Sequence, residues 1–89
     1  MNAIITVVGT DKVGIIAKIT AYLAEHTVNI IDITQTILSG NFVMMMMVNL
    51  DEASISIEQL RSSLAEQAAE MHVEINIMSE RVFSAMHRV

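Results

Sequence analysis

Gly9-Thr10-Asp11-Lys12-Val13-Gly14-Ile15-Ile16-Ala17-Lys18-Ile19-Thr20 is the stretch on which the fold turns. Two glycines bracket a short polar segment, and the apolar positions that follow take up helical spacing. Positions 16, 19, 20 and 23 fall at i, i+3, i+4 and i+7, while Lys18, Tyr22 and Glu25 face elsewhere, so a helix is expected over 14–26. Thr10 and Asp11 are both candidates for its N-cap, because a short oxygen-bearing side chain can accept a first-turn N–H.

Upstream of this loop, Ala3 to Val8 is β-branched and apolar and stops at Gly9, which reads as a first strand. Downstream, Ile31, Ile33, Gln35 and Ile37 alternate with Asp32, Thr34, Thr36 and Leu38, the period of a half-buried second strand. Ser39-Gly40-Asn41 supplies a hairpin loop, and Phe42 to Leu50 a third strand that is apolar on both faces as far as Val48. Ser54 or Ser56 can cap a second helix over 55–71, whose stripe is Ile57, Leu60, Leu64, Ala68 and Met71. Val73, Ile75 and Ile77 mark a fourth strand, and 80–89 reads as a short helical tail carrying Val82, Phe83 and Met86 on one face.

The order βαββαβ predicts an α+β, ferredoxin-like sandwich: an antiparallel sheet in the order 4-1-3-2, with a short C-terminal helix. The whole chain, 1–89, reads as one domain with its core in 1–79, since no proline-rich, low-complexity or linker-like segment divides it. Alternation in strands two and four suits sheet edges. Two-sided apolarity in strands one and three suits central strands covered on both faces. Two helices can cover only one of those faces. The tail or another subunit must cover the other, so a homodimer or larger homo-oligomer is expected.

Composition removes several function classes. With 89 residues and 53% hydrophobic content, the chain carries more apolar surface than so small a domain readily buries, which again points to self-association. No apolar run approaches the roughly 18 residues of a membrane span, and no basic segment precedes the first strand, so neither a membrane nor a signal peptide is expected. Cysteine is absent, which fits a cytoplasmic location and leaves no thiolate metal ligands. A net charge of -5 with five scattered basic residues opposes nucleic-acid binding, and the sheet offers few aromatics on which bases could stack.

Asp11-Lys12-Val13-Gly14-Ile15-Ile16, followed by Leu23-Ala24-Glu25 and by Val28-Asn29-Ile30-Ile31-Asp32, closely resembles the pattern of ACT domains. The likeness spans essentially the whole chain and is sharpest over 9–36; the small, bare domain is similar to bacterial stand-alone ACT proteins. Val13 departs from the pattern, standing where many members have proline. The resemblance implies a non-catalytic regulatory module that senses a small molecule, usually an amino acid, at a subunit interface. It also implies where. The loop before the first helix, with Asp11, Val13, Gly14 and Ile15, would meet Asn29 at the start of a neighbour's second strand. First-turn N–H groups at Val13, Gly14 and Ile15 suit a carboxylate, Asp11 an ammonium, and Asn29 either. Read as local structure alone, Asp11 is a cap, Gly14 a packing residue and Asn29 a turn residue. The alternative function is a protein–protein interaction module of the same fold without a small ligand.

Other chemistry is not supported. Gly9, Lys12 and Gly14 suggest a phosphate loop, but Ile15 and Ile16 stand where its lysine and hydroxyl residue belong. His26, His72 and His87 lack the short spacing of a metal site, and Met44 to Met47 reads as strand packing. No nucleophile, base and orienting group can be assembled, so no catalysis, metal or cofactor is expected.

Overall fold

The computed structural model describes residues 1–86. His87 and the end of the expected tail lie outside the described residues. The elements are β1 (Asn2–Gly9), α1 (Lys12–Glu25), β2 (Asn29–Leu38), β3 (Asn41–Asn49), α2 (Ile57–Met71), β4 (Glu74–Ser79) and α3 (Glu80–Met86). All neighbouring strands pair antiparallel, in the order β2-β3-β1-β4, which is the expected order read from the other edge. β1 pairs with β3 from Asn2 opposite Asn49 to Gly9 opposite Phe42. The fold is the ferredoxin-like arrangement that the order of elements required.

The pleat sorts the central strands into two faces. Ala3, Ile5 and Val7 of β1 and Phe42, Met44, Met46 and Val48 of β3 are buried, and they meet Ile15, Ile19 and Leu23 of α1 and Leu60 and Leu64 of α2. Their odd-numbered partners on β3 point the other way, and Met45 is 37% exposed. α3 packs on β1 and β4 over one end of that second face, where Phe83 joins Ile4, Met45 and Met47 around a small cleft. Ile4 is accordingly buried while Met45 is not. The tail therefore covers part of the open face from within the chain.

Three local features differ from the sequence reading, each for a visible reason. α1 starts at Lys12, two residues early, because Asp11 is the N-cap. Its buried stripe is centred on 15, 19 and 23, with Ile16 and Thr20 on the flank. In β2 the register shifts between Ile30 and Asp32, so Ile30 joins the helix-side face opposite Val48 and Ile31 is left in a bulge. α2 starts at Ile57, after a capping box in which Ser56 and Gln59 each accept the other's backbone N–H.

The turns use left-handed residues. Ser39 and Gly40 both have positive φ, as a two-residue hairpin of the primed type needs. α1 ends in a Schellman motif: Val28 N–H donates to the Leu23 carbonyl at 2.9 Å, and Thr27 N–H to that of Ala24 at 3.1 Å. Thr27 therefore occupies the position usually held by glycine, with φ of 58°. A β-branched side chain is strained there by about 1–2 kcal/mol, and glycine gives part of the relief back as chain entropy. Thr27→Gly is expected to stabilise the fold by up to about 1 kcal/mol, read as a higher urea midpoint at unchanged slope.

Candidate functional site

The start of α1 is organised by Asp11. Its Oδ1 accepts the Gly14 N–H at 3.2 Å, and its carbonyl accepts the Ile15 N–H at 3.0 Å. A Cβ on Gly14 would sit 2.6 Å from Asp11 Oδ2, so the glycine makes room for the capping carboxylate. Two of the three expected donors, at Gly14 and Ile15, are thus already engaged. Val13 N–H has no partner among the described residues, and its side chain is 78% exposed.

Two shallow grooves flank this helix start. One, about 210 Å3, runs toward α2 and is lined by Asp11, Gly14, Ile15, Lys18 and Met71. The other, about 220 Å3, runs toward the β2 edge and is lined by Lys12, Gln35, Thr36, Ile37 and Phe42. Neither Lys12 nor Phe42 is among the site residues expected from the sequence. Phe42 is placed there by the register that sets Gly9, Phe42 and Ile37 side by side across three strands, a non-local signal. Lys12 Nζ lies 5.9 Å from the centroid of the Phe42 ring, a cation–π contact, and Lys12 forms no ion pair among the described residues.

Asn29 lies elsewhere. It borders a cavity of about 400 Å3 with Thr27, Val28, Asn49, Asp51 and Glu52, beyond the C-terminal end of α1. The 14 residues of α1 span roughly 21 Å, so Asp11 and Asn29 of one chain cannot share a pocket. Only a second chain can bring them together.

Around that cavity Asn49 is the hub. Its amide donates to Asn2 Oδ1 at 2.8 Å and to Asp51 Oδ2 at 3.2 Å, and its own oxygen accepts the Asp51 N–H. The N-terminal ammonium pairs with Asp51. Hydrogen bonding from that ammonium, then from Asn49, then the ammonium's charge, holds the Asp51 carboxyl below its ordinary pKa. A depressed carboxyl stabilises the fold above its unfolded pKa, about 3.9, and loses that contribution as pH falls through the folded value. The wild-type advantage over Asp51→Asn should therefore be present at neutral pH and vanish in acid, as followed by paired melts across that range.

Comparison with known proteins gives a consistent relationship. Residues 2–78 match the family model described as ACT domain. A UPF0237 protein of Methanopyrus kandleri is 46% identical over 88 residues, covering 99% of this chain and 98% of its own. The ACT domain protein from Streptococcus pneumoniae superposes with a TM-score of 0.81 at 43% identity, covering 93% of each chain. A formyltetrahydrofolate deformylase from Pseudomonas syringae shares the fold over 86% of this chain but only 26% of its own, with a TM-score of 0.78 at 24% identity.

Proposed function

This chain belongs to the ACT-domain family, and from that premise we propose that it is a non-catalytic sensor that binds an amino acid between two copies of itself. ACT domains are regulatory ligand-binding modules, and amino acids are their typical ligands. The observation that carries the reading is β2. It is an edge strand of 10 residues, exposed along 31–38, with Ile31, Ile33, Ile37 and Leu38 among the exposed apolar side chains. Its outer row of N–H and C=O groups is a template for another strand. Antiparallel addition of a second β2 lays the start of that strand, at Asn29, beside the end of this one, at Leu38. The partner's Asn29 thereby approaches the α1 start, where Asp11 caps the helix and the Val13 N–H has no partner among the described residues. Gly14 and Ile15 shape the helix start, with their own N–H groups committed.

The same apolar edge favours a second reading, assembly without a ligand, so the test must detect a ligand directly. A thermal-shift screen of the amino acids does so. At about 100 times its Kd a ligand adds about 2.7 kcal/mol, which in a domain this small raises Tm by roughly 10 °C or more. A shift of that size with one amino acid or a related few supports the sensor. Uniform melts across the set, with a stable dimer interface of about 1,200 Å2 or more, would leave the assembly module. A single-domain, cytoplasmic protein suits either reading.

A further inference from the structure

We propose that Lys12, lying over Phe42 on the β2 side of the α1 start, is the residue that receives the ligand's acidic group, and that Asp11 serves the helix rather than the ligand. The ligand class this implies is a small monocarboxylate with a hydrocarbon body. The inference rests on the interface reading above and assigns its chemistry.

The two grooves beside the α1 start differ in charge and in reach: the one facing α2 carries both Asp11 and Lys18, the one facing β2 carries Lys12. Asp11 lines the groove that faces α2, away from the exposed edge, and its carboxylate is tied to Gly14 N–H. Lys12 lines the groove that opens on β2, the edge where a second strand would lie. Among the described residues no acidic side chain lines that groove, and Lys12 is its one charged member. In a chain of net charge -5, a cation with no ion-pair partner among the described residues, beside an apolar floor, is an anion receptor in waiting. Its contact with the Phe42 ring is an electrostatic stand-in that a carboxylate exceeds, because charge-assisted hydrogen bonds are the stronger interaction. In the other groove a carboxylate would meet the Asp11 carboxylate alongside Lys18, and it would lie on the α2 side, away from the exposed edge.

The lining also limits the rest of the ligand. Phe42 is nearly fully buried and forms a fixed floor, while Ile37 is 64% exposed and offers an apolar wall. A branched or straight hydrocarbon part fits against these two, and about 220 Å3 accommodates only a small one. Gln35 and Thr36 supply neutral hydrogen-bonding groups and no second cation, so a dicarboxylate or phosphate would keep an unpaired charge. An amino acid and the 2-oxo acid of the same side chain share the required chemistry, and they differ in whether an ammonium must also be satisfied.

Titration of the full chain with isovalerate, leucine and 4-methyl-2-oxopentanoate, followed by calorimetry and by amide NMR shifts at 12, 37 and 42, tests this. Isovaleramide is the neutral control. At least one acid is expected to bind, and about tenfold or more tighter than the amide. Lys12→Met keeps the aliphatic stem and should weaken the acid to the amide's affinity, with Lys12→Arg restoring most of the loss. Asp11→Ser keeps an N-cap and should leave affinity within about twofold. Leucine binding without the oxo acid identifies the amino acid, and the reverse identifies the oxo acid. If Lys12→Met binds an acid as well as the wild type does, Lys12 is not the receptor, though the interface reading stands. If these acids fail and a cationic ligand binds at the same edge, the assignment of charge is overturned alone. If nothing binds here or in the amino-acid screen, both fall.

Discussion

Ile19→Ala is expected to lower the unfolding free energy by about 2–5 kcal/mol, the range for truncating a buried aliphatic side chain. Ile19 is fully buried at the centre of the α1 stripe, one turn from Ile15 and one from Leu23, and it belongs to the cluster that contains Ile5, Met44, Met46 and Leu64. The loss has two parts: the transfer free energy of three carbons, and the cavity left where the sheet cannot close on the helix. A domain has a total stability of only about 5–15 kcal/mol, so this one change removes a large share of it. Each kcal/mol lowers Tm by about 4–8 °C at this size. Lys18→Ala, one residue away on the exposed face, should stay within about 0.5 kcal/mol of wild type. Equal effects at the two positions in a thermal melt would contradict the placement of α1.

Gly9→Val is expected to cost about 1–3 kcal/mol or more, for the opposite reason. An added Cβ at Gly9 would lie 2.6 Å from Val73 Cγ1 and 2.7 Å from Ile15 Cδ1, and a further 3.2 Å contact falls on Val73 Cβ, close to the backbone. Val73 N–H is itself tied to the Ala68 carbonyl at the end of α2, so the obstructing residue cannot step aside without loosening that helix end. Gly9 has no unusual φ, and it is the close approach of β1, α1 and the β4 lead-in that demands a hydrogen there. The double variant Gly9→Ala with Val73→Ala should recover part of the loss of Gly9→Ala alone. Simple additivity of the two single changes, measured in urea, would show that the contact is not the cause.

Legibility in the sequence followed the range of the interactions. Strand and helix periods are local, and they placed β1 to β4, α1 and α2 to within two residues or so. The order of the strands followed from right-handed, interleaved crossovers, and the alternation of the edge strands agreed with it. The bulge at Ile31 was not legible, because nothing in Ile30-Ile31-Asp32 says which residue β3 will skip. Nor was Gln67: it is buried on α2 beside Leu60 and Leu64, a polar residue inside the apolar stripe, and periodicity judges by side-chain type. At the site, Asp11 could be read as a cap because capping is settled within three residues. The division of Asp11 and Lys12 between two grooves depends on where α2 and β2 lie, and adjacent positions on a helix point about 100° apart. Phe42 reaches Lys12 only through the pairing of three strands. Residue type identified the region, and long-range geometry decided which side chain faces which way.

In the proposed site, the α1 start and Asn29 are separated by the length of α1, so a ligand that touches both must bind between two chains. Ligand binding and self-association must then be linked, each strengthening the other by the same factor. Sedimentation equilibrium of the chain at micromolar concentration, run with and without the best ligand of the thermal screen, measures that factor directly. The account predicts a dimer or larger assembly whose association constant rises with ligand. A monomer under both conditions, or an association constant that the ligand leaves unchanged, would contradict it.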